Sequence, residues 1–172
     1  MTEEEFYKKK IFYKIGINPL RNQFPHLVEE IGVWFKSERY RNIQSKKSQL
    51  TNKLKQITEN GEDIALDTEQ LYKLFQWFDK EPKVCYYCKL PENALEELHY
   101  QNGHINKRFP KRGKSLEIDR KQADLPYSNI QNLVLACYWC NNAKTDTFTE
   151  PEFKEIGRII KSIWENRLRR TL

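Results

Sequence analysis

Apolar residues in the first eighty positions recur every three or four residues, the period of a helix that buries one face. Leu27, Ile31, Trp34 and Phe35 share such a face and predict a helix over about 26–41. Leu50, Leu54 and Ile57 predict another over about 45–59, ended by Gly61. Leu71, Leu74, Phe75 and Trp77 or Phe78 predict a third, opening after Asp67 and barred by Pro82, whose ring cannot continue the helical ladder. Ahead of these, Thr2 and Glu5 have the spacing of a capping box, in which each side chain satisfies the other's backbone donor. It predicts a helix from Glu3 to about Lys14, stopped by Gly16 and Pro19.

After Pro82 the pattern changes. Val84 to Cys88 is short and aromatic. Leu90 to Lys114 lacks a clean period and contains Gly103, Pro110 and Gly113, which predicts a long loop with one helical turn near 92–97. Leu116 to Asp119 alternates, placing Leu116 and Ile118 on one side of a strand and Glu117 and Asp119 on the other. Asn132 to Ala136 predicts a second strand, and a helix follows from Asn141. Thr149 and Glu152 form another capping box, ahead of a last helix with Phe153, Ile156, Ile160, Ile163 and Trp164 inward. The expected class is α+β. A helical extension covers 1–82, and a small mixed unit with a C-terminal helix covers 83–172.

Composition adds limits. Among 172 residues, 30 Lys and Arg face 24 Asp and Glu, a net charge of +6 that leans towards an anionic partner. No run of 18 apolar residues exists, so no membrane helix is expected. The start, Met1-Thr2-Glu3-Glu4-Glu5-Phe6, is acidic where a secretory leader is basic and then apolar. The expectation is a cytoplasmic protein in a reducing compartment, where disulfides do not persist.

The four cysteines therefore need another use. Cys85 and Cys88 form one C-x-x-C, and Cys137 and Cys140 form a second. Two such knuckles supply four thiolates to one tetrahedral ion at a Zn–S distance of about 2.3 Å. A closed four-thiolate site leaves no position for water, so its zinc is structural. Free buried thiols and a redox or iron–sulfur role are the rival readings. Thioredoxin-like chemistry needs one C-x-x-C opening a helix, not two distant pairs.

Between and beyond the knuckles the chain reads Ser115-Leu-Glu-Ile-Asp-Arg120, then Asn132-Leu-Val-Leu-Ala-Cys137-Tyr-Trp-Cys140-Asn141-Asn142-Ala-Lys144. This resembles the HNH nuclease superfamily, the ββα-metal fold, over about 84–148. There a strand ends in Asp-His, an Asn-Leu run follows, and a C-x-x-C-Asn/His-x-x-Lys segment opens a helix. The resemblance implies that Asp119 and Asn141 hold a catalytic Mg²⁺ or Mn²⁺, ions that favour hard oxygen ligands and keep open positions. It implies that Asn132 orders the loop between the strands and can orient the general base. The substrate it implies is DNA, with RNA as the alternative.

One position departs from the pattern. Arg120 stands where the family has its base, histidine, and arginine stays protonated. Three readings follow. Arg120 clamps the phosphate while His104, His99 or a tyrosine such as Tyr127 activates water. Alternatively, metal-bound water suffices in a slow enzyme. In the third reading the site is dead and the fold only binds. Several residues also have plain structural readings. Glu117 suits a solvated strand face, His104 a surface loop, His26 a helix start and Lys144 an exposed helix face.

Lys107, Arg108, Lys111, Arg112, Lys114, Arg120 and Lys121 crowd one stretch, opposed only by Glu117 and Asp119. Leading into the strand that carries Asp119, they are expected, with Lys144, to contact phosphates. Such contacts give salt-dependent affinity without sequence information. The sequence thus points to a metal-dependent endonuclease, with restriction or anti-phage defence as a setting. The rivals are an inactive zinc-stapled DNA-binding module and a scaffold subunit. The N-terminal helices carry Trp34, Phe35, Leu74, Phe75, Trp77 and Phe78, most of them expected in the core, and any surplus left outside it would mark a protein partner's site on the helical part.

Overall fold

A computed structural model describes residues 1–59, 64–101 and 112–169. The chain is α+β and divides into two compact units, Met1–Lys80 and Glu81–Leu172.

The first unit is helical. Helix α1 (Glu3–Tyr7) opens on the Thr2–Glu5 capping box and continues into a wider π turn over Lys8–Phe12. Gly16 then caps a short helix, α2 (Ile17–Gln23). Pro19 therefore does not merely stop the first helix. It sits in the first turn of the next, where its missing N–H costs nothing. Helices α3 (Val28–Lys36), α4 (Glu38–Glu59) and α5 (Thr68–Lys80) complete the unit.

The boundary between the second and third expected helices falls elsewhere in the structure. The chain breaks at Ser37 because its Oγ accepts from the Tyr40 N–H at 3.0 Å and donates to the Trp34 carbonyl at 2.7 Å. One side chain thus ends α3 and caps α4. Phe6, Tyr7, Leu20, Ile31, Leu50, Leu74 and Phe78 fill the core, with the Phe6 ring against Tyr7, Trp34 and Tyr40. Phe35, expected inward, packs one side on the Tyr40 ring but leaves over a third of its surface exposed, as does Val28, and Val33 is exposed over most of its surface.

The second unit is built around a two-stranded antiparallel sheet, β1 (Glu117–Arg120) and β2 (Leu133–Ala136), with Glu117 opposite Ala136 and Asp119 opposite Val134. Before it comes α6 (Glu92–Gln101), longer than the single turn expected. Its Glu92 accepts from the Leu116 N–H at 2.8 Å and so fixes the approach to β1. Helix α7 (Tyr138–Lys144) starts earlier than Asn141, inside the second knuckle, because Cys137 serves as its N-cap. Helix α8 (Glu150–Arg169) closes the unit. Its inward face carries Phe153, Gly157 and Trp164, while Ile163 is exposed, contrary to the expected set. Adding a Cβ at Gly157 would bring it within 2.8 Å of the Tyr87 backbone, so α8 lies directly on the first knuckle. Among the described residues, no helix is long and apolar enough to cross a membrane.

Candidate metal centre and active site

The first knuckle is folded by its own backbone. Cys85 N–H donates to the Leu90 carbonyl at 2.8 Å and Lys89 N–H to the Cys85 carbonyl at 2.9 Å, with Lys89 at φ 58°. Tyr86 N–H donates to the Leu135 carbonyl at 2.7 Å and ties this turn to β2. The second knuckle follows β2 directly. The four sulfurs of Cys85, Cys88, Cys137 and Cys140 consequently converge, buried, all within 4.8 Å of one another. The Cys88 and Cys137 sulfurs are 3.8 Å apart. A tetrahedral ion with Zn–S bonds of about 2.3 Å separates its ligands by about 3.8 Å, so the cluster fits a metal such as zinc. Ionising these crowded, buried thiols together sets like charges side by side, and a divalent cation at their centre offsets that repulsion.

Beside this cluster, α7 lies on one face of β1. Glu117 and Asp119, two residues apart on the strand, share that face. Asn141 and Lys144, three apart on the helix, meet them. Asn141 Nδ2 donates to Glu117 Oε2 at 2.8 Å. Lys144 Nζ lies 3.8 Å from Asp119 Oδ2 and donates to the Arg120 carbonyl at 2.8 Å.

Asp119 is only 8% exposed, and its Oδ2 also accepts from the Tyr87 hydroxyl at 2.8 Å. Burial raises its pKa, and Lys144 and Tyr87 oppose that rise by favouring the carboxylate. Burial, with the Asp119 charge adding to it, holds the Tyr87 phenol far above its ordinary value, so it stays a proton donor. Lys144 is 2% exposed, not on an exposed helix face, and as placed its ammonium serves protein atoms.

Glu117 is not on a solvated strand face. It is buried, and Arg112 grips it with Nε to Oε1 at 2.9 Å and Nη2 to Oε2 at 2.7 Å. That pairing commits the Arg112 guanidinium, which also lies over the Tyr138 ring. Arg120 is half-buried, with its guanidinium 4.6 Å above the Tyr127 ring and Nη1 near the Leu125 carbonyl.

Asn132 clamps the loop after β1. Its Oδ1 accepts from Gln122 N–H at 2.9 Å and its Nδ2 donates to the Gln122 carbonyl at 2.8 Å, which spends both ends of the amide on the backbone. Lys114 is exposed, and His99 sits on α6. His26 is exposed in a short turn before α3. His104, Lys107, Arg108 and Lys111 lie outside the described residues.

The structure brings in two residues that sequence reasoning passed over. Tyr87 is an interior residue of the first knuckle and reaches Asp119 only through the fold, so nothing local announces it. Gly157 carried a signal, since an isolated glycine within a helical pattern often marks a close approach.

No family model and no curated protein sequence matches the chain. Among solved structures, it is similar to the rare-cutting HNH restriction endonuclease PacI, a protein described by its mechanism of DNA perturbation. Identity is 25%, the TM-score is 0.52, and the match covers 71% of this chain and 80% of that one. The chain thus resembles the HNH superfamily in structure, and its four-cysteine cluster fits the zinc type of that unit.

Proposed function

We propose that the chain is a metal-dependent DNA endonuclease whose ββα-metal unit is stapled by a structural zinc. The observation that carries this reading is the placement of α7 on β1 beside the sulfur cluster. It sets the buried Asp119 and the half-buried Asn141 on one polar face, in a chain similar to an HNH restriction endonuclease.

The donor set fits Mg²⁺ or Mn²⁺. Asp119 offers a carboxylate, and the Asn141 amide nitrogen is spent on Glu117, which leaves its carbonyl oxygen as the donor. A divalent ion held there supplies Lewis acidity to the phosphate and to the charge on the leaving oxygen. The protein groups do the rest. Tyr87 and Lys144 favour the Asp119 carboxylate and so oppose the rise in its pKa that burial causes. Asn132 fixes the loop after β1 and thereby the end of the strand. Arg120, permanently charged, binds the phosphate rather than taking a proton. Lys107, Arg108, Lys111, Lys114 and Lys121 add contacts to the backbone of the nucleic acid.

Restriction or anti-phage defence is the setting we favour, on the similarity to a restriction endonuclease. The exposed Val28, Val33 and Phe35 support a protein partner for the helical unit. The alternative is a zinc-stapled DNA-binding or scaffold subunit without catalysis. Arg120 at the base position favours it, as do the protein partners already engaging Asp119.

Nicking of supercoiled plasmid at low salt separates the two. The nuclease reading expects cleavage by zinc-loaded protein that requires added Mg²⁺ or Mn²⁺. Salt-sensitive DNA binding with no cleavage under either ion favours the binding module.

A further inference from the structure

One contact at the site has no part in binding the ion directly, yet bears on which atom can. Glu117 is buried, and both its oxygens accept from Arg112. A carboxylate held in this way offers acceptors only. The Asn141 amide, 2.8 Å away, must turn its Nδ2 towards Oε2, which sends its carbonyl oxygen to the opposite side. We infer that Glu117 is a positioning residue that fixes the Asn141 amide with its oxygen, not its nitrogen, presented to a divalent cation. Arg112 is the anchor that holds Glu117 in place. The inference rests on the reading of Asp119 and Asn141 as a divalent-ion site and extends it to a second carboxylate. Glu117 sits two residues before Asp119 on the same strand face, so β1 supplies one carboxylate to hold an ion and another to orient its partner ligand. Groups that orient metal ligands in this way affect affinity by about ten- to a hundred-fold when altered.

The test is Mn²⁺ binding to the zinc-loaded full chain, read as free Mn²⁺ by electron paramagnetic resonance, so it needs no cleavage. The binding seen in the wild type should be lost in Asp119→Ala. Glu117→Gln keeps the shape and removes the charge. With Arg112 retaining the oxygen of the new side chain, its amide nitrogen turns a donor towards Asn141 and reverses the Asn141 amide. Mn²⁺ affinity should fall by about ten- to a hundred-fold at unchanged zinc content. In an Asn141→Asp background the same Glu117→Gln change should cause no loss, because the introduced amide then donates to one carboxylate oxygen and leaves the other for the ion. Should Glu117→Gln lose zinc, Glu117→Asp serves instead. It is shorter by one methylene, withdraws from Asn141 and should also weaken Mn²⁺ binding. An equal loss in both backgrounds assigns Glu117 a purely stabilising role and overturns the inference, as does no loss in either. If the wild type shows no Mn²⁺ site dependent on Asp119, the parent reading fails and the inference fails with it.

Discussion

The two units solve the problem of a small core differently. The first packs large side chains: Phe6, Tyr7, Leu20, Ile31, Leu74 and Phe78 are all nearly or fully buried, and Thr2 and Ser37 finish its helices. The second packs Leu95, Leu98, Ile118, Leu135 and Phe153 around a short pair of strands and adds four converging buried sulfurs that tie its separate segments together. Its stability should therefore rest on an ion, and the first unit's should not. The difference also bears on function. The backbone on either side of the sulfur cluster carries the polar face of β1 and α7, where buried charges need fixed partners.

The largest expected effect follows from that contrast. Metal binding to zinc-finger peptides is worth on the order of 10 kcal/mol. Cys140→Ser should abolish zinc retention and raise amide exchange across Cys85–Leu90 and β2–α7, while α3–α5 stay protected. Protection retained throughout the second unit without metal would break the comparison. In the other direction, Phe6→Ala should cost about 3–5 kcal/mol of the first unit's stability, with zinc content unchanged. Denaturant unfolding with zinc quantification reads both.

Gly157→Ala comes next, and two effects compete. Alanine gains about 1 kcal/mol over glycine in a helix. Here its Cβ meets the Tyr87 backbone at 2.8 Å, in a turn tied to Leu135 and to the sulfur cluster, and overpacking costs about 1–3 kcal/mol. The clash should win and displace the Tyr87 hydroxyl from Asp119. Net destabilisation in urea unfolding is the expected outcome, and a stabilised variant would contradict the close packing of α8 on the knuckle.

The smallest effect lies in the first unit at high pH. Burial, with the Glu4 charge adding to it, pushes Tyr72 up to about 12. The folded state thus keeps a proton that the unfolded chain loses near the ordinary value of 10.0. That contribution is fully present below pH 10 and is lost as pH rises towards 12. Tyr72→Phe should flatten the decline, measured as the urea midpoint across this range. An equally steep decline in the variant would remove Tyr72 as its cause.

Legibility in the sequence followed the range of the interactions. Capping of α1, the faces of α4 and α5, the alternation in β1 and the two C-x-x-C pairs are local, and each is readable. The α3–α4 boundary is not, because a serine in a polar run reads as helix surface until its hydroxyl is seen bonding Tyr40 and Trp34. Ile163 misleads because the inward stripe of α8 follows Gly157, where the helix touches Tyr87, rather than the bulkiest residues. At the site, resemblance names Asp119, Asn132, Asn141 and Lys144. It cannot tell that Lys144 is buried, that Arg112 is spent on Glu117, or that Tyr87 reaches Asp119, since each depends on how separate segments pack.

The most direct test compares wild type and Asp119→Ala, at equal zinc content, for nicking of supercoiled plasmid with Mg²⁺ or Mn²⁺. The account predicts ion-dependent cleavage by the wild type and none by the variant. Equal cleavage by both, or none by either while DNA is bound, would contradict a nuclease built on Asp119.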